Sequence, residues 1–378
     1  MKRDGPRVLI APDKFKGSLS AREVANHIAA GLRDRLPNAT IDMIPIADGG
    51  EGTADVIRES CGGEWVNCAA HDALGRPIQA RYLWLPDRAT AMIEMSAAAG
   101  GWRIAPDERD LPSANTSGVG EMMLNAIDLG ATEIILGLGG SATNDGGFGL
   151  ARALGFCFLN RDSVELTGRV SDLRGLAHIV PPRGLVLPRI TGAVDVSNPL
   201  LGERGATRIF GAQKGAGPEQ LAQLEDALAR LADVVARDLG SDFREASGAG
   251  AAGGLGFGLM SFCGARLRSG FDLIAEMLDL EKAIQRADFV VTGEGRLDHQ
   301  TLEGKAPAGV ARLARKMGKR VFAIVGCADD EGTFRELFDD IFVLAAPPIT
   351  REGAIVRAKE LLQQRGRELG TLLSTSCS

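Results

Sequence analysis

Four short segments set charged and hydroxyl side chains among small residues directly after apolar runs: APDKFKGSLS (11–20), ADGGEGT (47–53), GLGGSATNDGG (137–147) and TGEGRLD (292–298). In an open parallel sheet, loops at the carboxyl ends of strands line the ligand crevice, and glycine there lets backbone N–H groups approach an anion. The chemistry these residue types offer is the holding of a phosphate or carboxylate, with carboxylates at hand for a cation or a hydroxyl. Convergence of four such loops is more specific than any one. Taken singly, each also has a plain structural reading. Asp13, Lys14 and Lys16 suit a solvated turn before a capped helix. Asp48 and Glu51 complement the positive end of the helix that follows, and Asn144 and Asp145 before Gly146 and Gly147 suit a tight turn.

Three further segments carry the same residue types. In AVDVSNPLLGERGATRIFGAQKG (193–215), a strand delivers Asp195 and Asn198 to a turn, where they can hold a hydroxyl, hold a metal-bound water, or merely close an Asx turn. The glycine-dense 248–258 stretch, with Gly253 and Gly254, reads either as close backbone packing or as a phosphate-binding helix entry. LEGKAP (302–307) brings Lys305. Only nine of the 43 basic residues are lysines, and Lys14, Lys16, Lys214 and Lys305 stand in loops punctuated by glycine or proline, where an ammonium on a flexible stem suits a phosphate. A solvated role for Lys214 and Lys305 is the plainer alternative.

Other chemistries find less support. Gly137, Gly139 and Ala142, with Glu165 further on, satisfy a relaxed dinucleotide fingerprint, but Thr143-Asn144-Asp145 puts a polar turn where that motif needs an apolar helix. The Gly-Lys-Ser/Thr phosphate loop and the protein-kinase signature set are absent. The four histidines lie in no metalloprotease or triad context; His299, beside Asp298, is the only one in a motif loop, and a structural or solvated role suits it. The six cysteines show neither disulfide nor zinc-ligand spacing and read as mostly buried thiols.

The elements that must position these loops follow from periodicity. Val8–Ala11 is a buried apolar strand, and Ser20 with Glu23 forms a capping box ahead of Val24, Ile28, Leu32 and Leu36. Ile41–Ala47 is a second strand, followed by a helix to about Cys61, and two βα units in succession imply a parallel sheet. From Trp65 to Met95 the alternation shortens, as in a mixed or antiparallel sheet. Helices are predicted near 117–129, 218–239, 306–317 and 351–369, and strands at Thr132–Leu138, Arg189–Val196, Asp288–Thr292, Arg320–Gly326 and Asp340–Ala345. The fold class expected is α/β, with two domains. Residues 1–64 and 287–378 make a doubly wound, Rossmann-like parallel-sheet domain, residues 65–286 are an inserted mixed-sheet α/β domain, and the active site lies in the cleft.

With 378 residues, 45% hydrophobic and 24% charged, the chain can fill two cores. A net charge of -6 without a basic run argues against nucleic acid. The lack of an apolar run of about 18 residues argues against a membrane span, and the charged start against a signal segment, so a cytoplasmic location is expected.

The strings APDKFKGSLSA, PIADGGEGT, GLGGSATNDGG, DVSNPLLGERGATRIFGAQKGA, GAGAAGG and FVVTGEGRLDHQTLEGKAPAGVA, in this order, resemble the bacterial type I glycerate kinases from residue 7 to about 326. Asn115-Thr116-Ser117-Gly118 and the tail after about 345 depart from that pattern. The resemblance implies an enzyme using ATP and Mg2+ to phosphorylate D-glycerate, at the 2-hydroxyl to give 2-phosphoglycerate. The 3-hydroxyl, a related small hydroxy acid, or a nonenzymatic nucleotide sensor on the same fold stand as alternatives, and a dehydrogenase as a further one.

Phosphoryl transfer needs alignment and charge neutralisation. Mapped on this chain, Lys16, Asp195 and Arg296 are the catalytic candidates, with Asp195 as base toward the acceptor hydroxyl. Asp13, Lys14, Ser18, Asp48, Asn198 and Asp298 form the substrate set. Gly139, Gly140, Ser141, Asn144, Asp145, Lys214, Gly253 and Gly254 form the nucleotide set, and Asp48, Asp195 or Glu294 serves the metal. A monomer or homodimer is expected.

Overall fold

The computed structural model describes residues 5–302, 305–329 and 331–376; Glu303 and Gly304 of the LEGKAP motif, and Cys377, lie outside them. The chain forms two compact units, one of residues 1–48, 55–61 and 271–378, the other of residues 49–54 and 62–270. Segment 271–286, read from sequence with the insertion, groups with the chain ends. Its helix Leu280–Arg286 buries Leu280, Ala283 and Ile284 and packs beside the first strand and the helix Ala306–Lys316.

The first unit is built on a five-stranded, wholly parallel sheet in the order Asp340–Val343, Arg320–Val325, Phe289–Thr292, Arg7–Ile10, Thr40–Met43. The chain winds outward from Arg7–Ile10 to Thr40–Met43, then resumes on the opposite side with Phe289–Thr292. The order therefore reverses between Arg7–Ile10 and Phe289–Thr292, a topological switch point that leaves a crevice at the strands' carboxyl ends. The loops that emerge there are 11–20 and 293–298.

On one face the helix Ala21–Arg33 buries Val24, Ile28 and Leu32. Its expected capping box is present, with Glu23 N donating to Ser20 Oγ at 3.3 Å and Ser20 N to Glu23 Oε2 at 3.0 Å. This helix packs on the helix Ala358–Ser376 so closely that a Cβ on Gly31 would lie 2.1 Å from the Gln363 carbonyl oxygen. The single helix expected over 351–369 is two, Arg351–Val356 and Ala358–Ser376, because Thr350 caps a short first turn that ends at Arg357.

The second unit holds a six-stranded sheet in the order Arg266–Ser269, Arg189–Val194, Glu133–Gly137, Thr90–Glu94, Pro77–Leu85, Glu64–His71. The first four strands are parallel, and Pro77–Leu85 and Glu64–His71 add antiparallel. The shortened alternation over 65–95 is thus the antiparallel edge of a mixed sheet. The helix Pro218–Leu239 lays Leu224, Leu228, Leu231 and Val235 into the core and stops at Gly240 in the left-handed region (φ 71°). Among the described residues no helix is long and apolar enough to cross a membrane.

Candidate active site

The switch point of the first unit gathers carboxylates. Asp13 follows the first strand, and its N–H donates to the Gly293 carbonyl at 2.8 Å, which zips loop 11–14 to loop 293–295. The backbones run so close that a Cβ on Gly293 would fall 1.9 Å from the Ile324 carbonyl oxygen, so only glycine fits before Glu294. Asp13 is buried, and its pKa is raised well above the ordinary carboxylate value by burial and then by the charge of Asp48, with Glu294 adding to the effect. Glu294 is buried too. Its carboxyl is pushed up to about 7 by burial first, with Asp298 and Asp48 contributing and Lys305 opposing, while Thr301 Oγ1 donates to Oε1 at 2.7 Å.

Around this acidic centre, Lys305 Nζ reaches Asp298 Oδ1 at 3.2 Å, so this lysine is engaged in an ion pair. Thr301, which the sequence reading did not single out, ties Glu294 to the Asp298 turn, since its Oγ1 also accepts from Asp298 N at 3.2 Å; a threonine three residues after Asp298 was the available signal. His299 opens the helix His299–Leu302. Lys14 is half-buried and its charge faces Asp13. Lys16 is exposed, and Ser18 Oγ donates to the Ile355 carbonyl at 3.4 Å. Arg296 is closed on Asp329 in a two-point pair, Nε to Oδ1 at 3.1 Å and Nη2 to Oδ2 at 2.7 Å.

No three His, Cys, Asp or Glu side chains among the described residues are grouped closely enough to enclose a metal. Mg2+ does not need such a cage, because it keeps water and commonly takes one or two carboxylates together with substrate phosphates. Asp13 and Glu294, held towards protonation by burial and by neighbouring charge, are groups whose ionised form a divalent cation would stabilise. Asp195, also expected as a metal ligand, belongs to the other unit, half-buried just past the strand Arg189–Val194.

In the second unit the glycine-rich loop 137–147 is built by close backbone approach. A Cβ on Gly137 would lie 2.3 Å from the Gly49 carbonyl oxygen, and one on Gly139 would lie 2.6 Å from Gly50 Cα. The glycines of ADGGEGT and GLGG therefore answer one another. Glu94 was not anticipated: its Oε1 accepts from Ala54 N at 2.8 Å, at the start of the helix Thr53–Cys61.

Gly140 turns through φ 76°, and the next residue, Ser141, meets Lys214. Lys214 Nζ donates to Ser141 Oγ and to the Thr143 carbonyl, both at 2.7 Å, and burial pulls its pKa down to about 7 against the opposing charge of Asp145. It is thus half-buried and tied into the loop across more than 70 residues.

Asp145 braces this loop from within. It is wholly buried, and its carboxylate accepts from Thr116 N, Thr116 Oγ1 and Gly149 N through Oδ2 and from Gly147 N through Oδ1, at 2.8–3.1 Å. These bonds join the starts of the helices Ser117–Asp128 and Phe148–Ala153, so Asp145 positions the loop. Burial raises its pKa, which those donors counter. Asn144 is likewise buried, its Nδ2 donating to Thr207 Oγ1 at 3.0 Å.

Gly253 and Gly254 take the close-packing alternative. They adopt φ 69° and 87°, and a Cβ on Gly253 would lie 2.0 Å from the Thr143 carbonyl oxygen, so they seat the loop from behind. Asn198 closes its own turn through Nδ2 to the Arg204 carbonyl at 2.7 Å. Glu165, the acid a dinucleotide reading requires, is instead exposed and paired with Arg152 at 3.4 Å.

Comparison with known proteins agrees over nearly the whole chain. The model of the glycerate kinase family matches residues 8–374. Glycerate 2-kinase of Escherichia coli K12 is 42% identical over 86% of this chain and 86% of its own. Glycerate kinase of Bacillus subtilis 168 is 38% identical over 96% of each chain. A crystal structure from Salmonella typhimurium LT2, assigned as glycerate kinase 2, superposes with a TM-score of 0.85 at 39% identity, covering 98% of this chain and 99% of that one.

Proposed function

Because this chain belongs to the glycerate kinase family, we propose that it transfers the γ-phosphoryl group of ATP to the 2-hydroxyl of D-glycerate, giving 2-phosphoglycerate and ADP. The observation that carries the reading is the family match over residues 8–374, and the choice of hydroxyl leans on the 42% identical relative named a 2-kinase. The protein is a phosphotransferase with an alcohol acceptor.

Each loop then has a role. Gly139, Gly140 and Ser141 offer backbone N–H groups to the nucleotide phosphates, and Lys214 supplies a positive charge beside them. Asp145, Asn144, Gly253 and Gly254 hold that loop in shape. Asp48 and Glu294, with Asp13 beside them, are the residues that would hold Mg2+, which when bound neutralises charge on the phosphoryl oxygens. Lys16, with Lys14 and Ser18, faces anionic substrate. Arg296, paired with Asp329 by a two-point contact, has the fork geometry that a glycerate carboxylate would also use. Asp298, held by Lys305, orients its own loop. Asp195 accepts the proton of the acceptor hydroxyl, with Asn198 fixing its loop.

The net charge of -6 supports an enzyme acting without nucleic acid, and a cytoplasmic monomer or homodimer completes the reading. The test is to incubate the protein with ATP, MgCl2 and D-glycerate and record proton-coupled phosphorus NMR of the product. Coupling to the single C2 proton is expected. Coupling to the C3 protons would move the transfer to the other hydroxyl, and ADP release independent of glycerate would remove the kinase assignment.

A further inference from the structure

Trp102 is the one aromatic among the large hydrophobic side chains that stand exposed in the described residues, with 60% of its surface open to solvent. A lone exposed apolar side chain is ordinary. This one is different because it is held in place from three sides. Its indole Nε1 donates to the Ser96 carbonyl at 3.0 Å. The guanidinium of Arg103 lies over the ring, 4.4 Å from its centroid, and is itself anchored by Nε to the Ala97 carbonyl at 2.7 Å and Nη2 to the Gln79 carbonyl at 3.3 Å. Gly100 makes the fold-back possible, since a Cβ there would lie 2.3 Å from the Ser96 oxygen and 2.8 Å from the indole nitrogen. The side chain is thus preorganised while much of its area stays wet.

The turn that carries Trp102 is stitched to the glycine-rich loop. Met95 N donates to the Gly137 carbonyl, Gly101 N to the Gly140 carbonyl and Ala142 N to the Ala99 carbonyl, at 2.9–3.0 Å, and Gly100 bridges to Ser141. The ring therefore stands next in chain to a residue bonded to Gly140, within one rigid backbone assembly. A ligand that sets phosphates on Gly139–Ser141 can set a planar aromatic group against this neighbouring turn.

We propose that Trp102 is the stacking platform for the purine base of the nucleotide, with Arg103 behind the ring as the second layer. The inference rests on the reading that loop 139–141 holds the nucleotide phosphates. An indole offers a π-face to any base, and a cation on its far side stacks favourably. Recognition by stacking alone tolerates different bases, so GTP should substitute for ATP with a modest loss.

The experiment is calorimetric binding of ADP to wild type, W102F, W102L and W102A, with inorganic tripolyphosphate as a second probe and thermal midpoints to confirm folding. Loss of base stacking predicts about tenfold or greater weakening of ADP in W102A and W102L, and near wild-type affinity in W102F. Tripolyphosphate should bind wild type and W102A alike. ADP affinity within twofold of wild type in W102A, or full affinity in W102L, would overturn the proposal. So would a parallel loss of ADP and tripolyphosphate, which marks the ring as a support for the loop only. Wild type that binds neither probe would instead sink the phosphate-loop reading beneath it.

Discussion

Lys214 offers a quantitative test of the phosphate loop. Burial lowers its pKa from 10.5 to about 7, so its charge titrates in a usable range while Nζ stays bonded to Ser141 Oγ and the Thr143 carbonyl. If the charged form binds phosphate, apparent affinity scales with the protonated fraction, about a quarter at pH 7.5 and about 3% at pH 8.5. ADP affinity should therefore fall about eightfold over that single pH unit. The terminal phosphate of ADP is already largely ionised across the range, so its own titration does not supply the slope.

Lys214→Met should bind ADP weakly with no such slope, and Lys214→Arg, charged throughout, should also be flat. Stability carries the opposite sign. Between about pH 7 and 10.5 the unfolded lysine binds more protons than the folded one, so wild type should gain about 2 kcal/mol relative to Lys214→Met from pH 7 to 9. Isothermal calorimetry and urea unfolding at matched ionic strength read both effects. A wild-type affinity that stays flat from pH 7.5 to 8.5, or a slope that survives in Lys214→Met, would refute the reasoning.

Two further perturbations address the positioning groups. Glu294, with its carboxyl raised from 4.5 to about 7, favours the fold fully below about pH 4.5 and loses that contribution as pH rises through 7. Glu294→Gln should therefore be more stable than wild type at pH 8, by up to about 3 kcal/mol, with the gap closing toward pH 4.5 and narrowing in millimolar MgCl2; denaturation curves without that pH-dependent gap would contradict it. Asp145→Asn places an amide N–H against donors the carboxylate now satisfies, and the buried, four-bonded site predicts a loss of about 3–5 kcal/mol seen as a lowered thermal midpoint. An unchanged midpoint would mean that Asp145 does not join the two helices as described.

What the sequence determined by itself was local. The 3.6-residue stripe behind Ser20, the capping box with Glu23, proline and glycine at the ends of Pro218–Leu239, and the apolar runs before each glycine loop are short-range patterns, and the elements formed as their spacing required. The family strings added the reaction. Residue roles were harder to read, because a polar residue in a turn is written alike whether it meets a ligand or its own backbone. Asp145 and Gly253 carried the signature of a phosphate loop and are seen to hold the glycine-rich loop in shape, and Arg296 pairs with Asp329. Those outcomes hang on partners far away in the chain: Asp13 on Gly293, Lys214 on Ser141, Gly253 on Thr143. Strand order brings the first pair together, since Arg7–Ile10 and Phe289–Thr292 are neighbours only in the folded sheet. Core packing decides the others, because burial turns an ordinary lysine or carboxyl into one that titrates near neutrality, and burial is a property of the assembled fold.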